Sequence, residues 1–207
     1  MNASSGAEVR QHILNIAKPI MLRKGFSAVG LNEILAAAGI PKGSFYHYFG
    51  SKEAFGEALL ESYFEGYLEH LDNLLVHQQQ GTGADRLLTY WNNWLHAQCA
   101  NDPEGKCLAV KLGAEVSDLS ESMRAVLRRG TEQIIGRLAA GIESGLADGS
   151  LQGVEDPPRT AATLYELWLG ATLLEKIHRN RMPLEMAMAA TLRMLNLPQQ
   201  DDGAERR

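Results

Sequence analysis

Leu31–Lys52, LNEILAAAGIPKGSFYHYFGSK, reads as a short helix, a tight turn, a second short helix and the opening of a third. Leu31, Ile34 and Leu35 share one face of the first piece, with the small Ala36, Ala37 and Ala38 beside them. Gly39 takes the left-handed conformation that ends a helix without a Cβ penalty. Pro41 suits the first turn of the next helix, where its missing N–H is no loss. Two helices joined by so short a glycine-bearing turn cross steeply, which is the helix-turn-helix geometry.

The second helix, Pro41 to Phe49, has two unlike faces. Phe45 and Phe49, spaced i and i+4, anchor it to its own domain. Lys42, Gly43, Ser44, Tyr46, His47 and Tyr48 are left for the outside. Two tyrosines and a histidine are unusual on a merely solvated face, but hydroxyls and imidazoles donate to phosphate and a ring packs on a thymine methyl. Gly43 lets backbone approach base edges. Ser51 opens the next helix, and Lys52 in its first turn adds a cation to free N–H groups that attract phosphate.

The run Gly25–Phe55, GFSAVGLNEILAAAGIPKGSFYHYFGSKEAF, resembles the N-terminal signature of the TetR family of bacterial repressors. That signature is a small-residue turn, then K-G-x-[aromatic or Leu]-Y-x-[His or Tyr]-F, then x-[Ser or Asn]-K-[Glu or Asp]. The resemblance implies an all-α protein, with an N-terminal three-helix DNA-binding domain and a C-terminal helical domain for ligand binding and dimerisation. It implies DNA contacts from Lys42, Gly43, Ser44, Tyr46, His47, Tyr48 and Lys52. Tyr48 stands where many members carry His, and Gly30-Leu31 where many carry a phosphate-touching Thr, so no operator sequence carries over.

Composition agrees with a helical protein. The 207 residues suffice for a full core, and alternating apolar–polar runs of strand length are missing. No stretch has the length and apolarity of a membrane span, and the start does not resemble a signal peptide. Cys99 and Cys107 are too few for a disulfide scaffold and lack metal-site partners. The expectation is a cytoplasmic, reduced protein without metal or cofactor. The net charge is -5, yet residues 1–50 hold five Lys/Arg against two acids, which leaves the remainder at -8. A weakly basic head on an acidic body orients toward DNA, and so small an excess calls for two heads.

Along the chain, residues 1–6 read as a loose tail and Ala7–Lys24 as a helix bent near Asn15–Lys18 by Pro19. Phe26 is expected to plug a small core with Phe45 and Phe49. A long helix from Ser51 to about His77 carries Glu53, Glu57, Glu61, Glu65 and Glu69 as a solvated stripe and acts as a lever. The expected domains are 1–54 for DNA binding, 55–198 for effector binding and dimerisation, and a disordered tail at 199–207. Helices follow at Ala84–Ala100, Cys107–Val116, Ser120–Ala147, Arg159–Arg179 and Leu184–Leu195. Gly130, Gly136, Gly141 and Gly145 in one of them point to close packing or flexibility. Trp91 and Trp94, with Trp168, either fill the core, the first reading, or line a small-molecule pocket. The last two helices carry an apolar arc wide enough to meet a second copy as a four-helix bundle, with Gly170 and Ala171 at its centre.

Cys107 follows a loop at Asp102–Gly105, with Lys106 beside it and Lys111 one turn on. A helix start and nearby cations favour thiolate, so Cys107 is either a reactive thiol or a packed inert one. GKCLAVKLGAEVSDLSESMR, with the later YELWLGATLLEKIHR, resembles the NemR-like, electrophile-responsive subgroup of the TetR family. That resemblance implies that Cys107 is the sensor and Lys176 its partner, with Cys99 secondary. The function expected is a homodimeric repressor that binds palindromic double-stranded operator DNA and is released when Cys107 meets an electrophile or oxidant. One rival is a TetR-type repressor induced by a noncovalent ligand near Trp91, Trp94 and Trp168. The other is an all-helical enzyme, for which no paired carboxylates, phosphate loop or nucleophile–base arrangement speaks.

Overall fold

The computed structural model describes residues 3–77, 80–99 and 108–198, and among these every regular element is helical. In order they are α1 (Ala3–Lys24), α2 (Leu31–Ala38), α3 (Lys42–Phe49) and α4 (Lys52–Asp72), which runs into a π-helical turn (Asn73–His77). Then come α5 (Gly83–Cys99), α6 (Leu108–Leu119), α7 (Glu121–Ala147), α8 (Pro157–His178) and α9 (Met182–Met194). The expected tail at 199–207 and the loop carrying Cys107 lie outside the described residues. Helix α1 already starts at Ala3, inside the stretch read as a tail, and runs unbroken through Pro19. Ile13, Leu14, Ala17, Ile20 and Met21 are all buried, and that packing outweighs the one helical hydrogen bond a proline removes.

Two compact units emerge, Met1–His70 with Ala100–Gln133, and Leu71–Cys99 with Ile134–Arg207. In the first, the core is built on α1, α2 and the aromatic residues of α3 and α4. Gly130 of α7 admits the Phe64 ring where any Cβ would overlap it. The acidic stripe of α4 is only partly solvated: Glu61 lies 3.7 Å from Arg129, and Glu53 accepts a hydrogen bond from the Ser120 hydroxyl.

In the second unit, Asp148 and Ser150 take up the first N–H groups of α5, Gly83 at 2.7 Å and Ala84 at 3.0 Å. Gly83 there lies so near the backbone of Gly145 that neither helix tolerates a side chain between them. Gly136, by contrast, is exposed with open space around it, so packing explains the glycines of α7 only where a neighbour crosses. Asp156 caps α8 through the Arg159 N–H at 3.0 Å, with Pro157 in the first turn. Arg137 pairs with Asp72 through two bonds of 3.0 and 3.1 Å.

Candidate nucleic-acid interface

The turn between α2 and α3 follows the chemistry of its sequence. Gly39 sits at φ 65°, its N–H bonds to the Ala36 carbonyl, and the Ile40 N–H reaches the Leu35 carbonyl at 3.1 Å. That pair is a Schellman motif, which satisfies the last carbonyls of α2 and turns the chain. Pro41 is the residue before α3 rather than its first member, and its carbonyl accepts from Ser44 N–H at 3.0 Å.

Helix α3 then presents two faces. Phe45 and Phe49 are buried, and with Phe55 of α4 they form a triad of rings with centroids 5.0 to 5.2 Å apart. Phe26 is also buried, but it packs on α4 against Gly56 and Lys52. The opposite face is open. Lys42, Gly43, Tyr46 and His47 are exposed, Tyr46 by 43 %, while Ser44 and Tyr48 are half-buried. The Lys42 ammonium lies 5.9 Å from the Tyr46 ring, and His47 meets Tyr48 edge-on at 5.1 Å. A Cβ placed on Gly43 would meet nothing among the described residues, so the glycine answers no packing demand there. Lys52 stands apart from this group. Its Nζ donates to the Phe26 carbonyl at 3.0 Å, and Ser51 caps α4 by accepting the Ala54 N–H at 2.9 Å.

A carboxylate that sequence reasoning missed reaches the same head. Glu115 of α6 accepts the backbone N–H groups of Phe26 at 3.0 Å and Ser27 at 2.6 Å. Burial pushes the Glu115 carboxyl up. The hydrogen bonds from Ser27 and Phe26, with the Lys111 charge, outweigh that and hold it below the usual glutamate range. No local signal in the sequence marks a contact spanning so much chain.

Residues 13–59 match the family model of bacterial regulatory proteins, tetR family, and residues 83–191 match that of the tetracyclin repressor-like C-terminal domain. The chain belongs to the TetR family. Like its TetR relatives, it is a regulator and not an enzyme. It is 41 % identical to the HTH-type transcriptional repressor NemR of Escherichia coli strain K12, over 96 % of this chain and 99 % of that one. It is 33 % identical to the HTH-type transcriptional repressor DhaR of Mycobacterium sp. strain GP1, over 90 % of this chain and 92 % of the relative. Among solved structures, the crystal structure of E. coli NemR in its reduced form superposes with a TM-score of 0.86 at 42 % identity, covering 92 % of this chain and 98 % of that one.

Within this TetR fold the remaining candidate residues fall in the second unit or outside the described residues. Trp91, Trp94 and Trp168 are buried and pack on one another, Trp91 and Trp168 stacked at 5.0 Å. Trp94 Nε1 donates to Thr172 at 3.0 Å and Trp168 Nε1 to Thr191 at 2.9 Å, whereas the Trp91 Nε1 has no hydrogen-bond partner among the described residues. Lys176 stands half-buried in the last turn of α8. Cys107 lies outside the described residues, as does the side chain of Cys99. Among the described residues no helix is long and apolar enough to cross a membrane, and no cluster of three or more His, Cys, Asp or Glu is placed to hold a metal ion.

Proposed function

We propose that the protein is a cytoplasmic homodimeric repressor that sets two copies of α3 into successive major grooves of a palindromic operator, about 34 Å apart. The observation that carries this reading is the split of α3: Phe45 and Phe49 inside, and Lys42, Gly43, Tyr46 and His47 outside. Ser44, Tyr48 and Lys52 complete the proposed contacts. The dimer is supported by an apolar face on the second unit, where Leu173, Leu174 and Ile177 of α8 and Met182 and Met186 of α9 are exposed. Large apolar side chains left exposed on two helices that pack together point to an interaction site, and the exposed Gly170 on α8 lets a second backbone approach.

Cys107 is the proposed sensor, with Lys176 as its partner. The support is the position of the thiol in sequence, between Lys106 and the first residue of α6, together with 41 % identity to NemR, a relative whose solved structure is described as a reduced form. A helix start and adjacent ammonium groups lower a thiol pKa and raise its thiolate fraction. A coupling of about 1–3 kcal/mol between the thiol's state and the DNA-binding state lowers operator affinity by about 5- to 150-fold.

The test is a gel shift on DNA upstream of the protein's own coding region, with and without N-ethylmaleimide. The wild type binds and is released by the reagent; Cys107→Ser binds equally well and stays bound. Release of Cys107→Ser would remove this thiol from the mechanism.

A further inference from the structure

The loop between α1 and α2 is gripped on both sides by charge. Gly25 leaves α1 at φ +90°, and a Cβ there would stand 3.0 Å from Glu115 Oε2. Glycine is therefore needed for the backbone angle and for the carboxylate's approach. Each oxygen of Glu115 takes one N–H, Oε2 from Phe26 and Oε1 from Ser27. On the other side of the same residue, the Phe26 carbonyl accepts from Lys52 Nζ. One turn past Glu115, Ser120 donates to Glu53, the neighbour of Lys52 on α4. Charge-assisted bonds such as these are stronger and more directional than neutral ones. They tie α6, whose first residue follows Cys107 in sequence, to the loop from which α2 and then α3 continue.

We propose that Glu115 is a positioning residue for DNA binding: by clamping the Phe26 and Ser27 amides from α6, it fixes the head that carries α3 and thereby sets the half-site spacing the dimer accepts. The proposal rests on the DNA-binding reading above. Glu115→Gln keeps the volume but turns one of two acceptors into an NH2 group, so one backbone N–H faces a donor. The head then keeps its own core, because the Phe45, Phe49 and Phe55 cluster is untouched, but loses its fixed pose on α6.

The experiment measures anisotropy of the full-length protein on an operator selected from random duplexes, and on that duplex with one base pair inserted at its centre. The insertion moves the half-sites apart by about 3.4 Å and rotates them by about 35°. Wild type discriminates between the duplexes on the order of 30-fold, and Glu115→Gln by less than about 3-fold, with dimer mass and far-UV spectrum unchanged. Glu115→Asp, which keeps both acceptors one methylene short, falls between them and serves if the Gln variant does not fold. Full discrimination in either variant overturns the role of Glu115. A wild type that enriches no duplex overturns the DNA-binding reading instead.

Discussion

Lys52 donates from Nζ to the carbonyl oxygen of Phe26 at 3.0 Å and holds its charge 4.8 Å from the centre of the Phe26 ring. The side chain proposed to meet phosphate is thus already engaged within the free head. Lys52→Ala is expected to lower stability by about 1–2 kcal/mol, from the lost hydrogen bond and cation–π contact together. It should also reduce the slope of log affinity against log salt by about 2 for the dimer, close to one per head. Urea unfolding and salt-dependent anisotropy separate the two effects. A lower stability with an unchanged salt slope would make Lys52 purely structural.

Gly43 and Tyr46 give the opposite pattern. Alanine at position 43 meets no atom among the described residues, and in a helix it is favoured over glycine by up to about 1 kcal/mol. Gly43→Ala is therefore expected to leave stability unchanged or raise it while weakening operator binding about tenfold, through a methyl group set against the DNA. Tyr46→Ala should weaken binding with little change in melting temperature. Operator affinity unaffected by both would detach this face from DNA.

The second unit has a sharper stability test. Thr172 Oγ1 accepts from Trp94 Nε1 at 3.0 Å and donates to the Trp168 carbonyl at 2.7 Å, all buried. Thr172→Val keeps the shape and strands the indole N–H, at an expected cost of about 1–3 kcal/mol. Thr191→Val strands the Trp168 N–H in the same way. Urea midpoints equal to wild type in both variants would contradict the importance of these bonds.

Acid should loosen the head through Glu115. The folded chain holds this carboxyl below the usual glutamate range, since hydrogen bonds and Lys111 overcome the upward push of burial. Its contribution is thus complete above that range and fades as pH falls through the lowered folded value. Wild type and Glu115→Gln are expected to differ in stability near neutral pH and to converge in acid. A constant gap across the pH series would show that the charge is not what binds the loop.

The proposed dimer face predicts its own failure. Ile177 is 64 % and Met186 66 % exposed, on α8 and α9 respectively. Aspartate at either position should give monomers in sedimentation and cost operator affinity about 100-fold or more, since two linked heads bind far better than one. A dimer that persists in both variants would place the interface elsewhere.

Much of the reading head is legible in sequence because its determinants are local. Gly39, the Phe45–Phe49 spacing and Ser51 each act within a few residues, and each takes the structural position its chemistry calls for. Phe55 is legible as part of the apolar side of the long helix, but its closure on Phe45 and Phe49 is not, because it lies across a turn from α3. The inward turn of Lys52 and the reach of Glu115 escaped for a stronger reason: their partners are 26 and 88 or 89 positions away, where no periodicity carries a signal. Pro19 lies inside α1 without ending it, since the local penalty yields to the buried face around it. Helices α5 to α9 were placed to within a few residues at their ends, but which glycines pack closely depends on crossings that the pattern does not encode.

The central claim, that the exposed face of α3 acts in duplicate on DNA, is tested most directly by selecting duplexes from a random pool with wild type and with Tyr46→Ala. Wild type should enrich a two-fold symmetric sequence with half-sites about 10 base pairs apart, centre to centre, and Tyr46→Ala should lose that enrichment while remaining folded. A wild-type pool with no symmetric sequence, or a Tyr46→Ala pool identical to it, would contradict the claim.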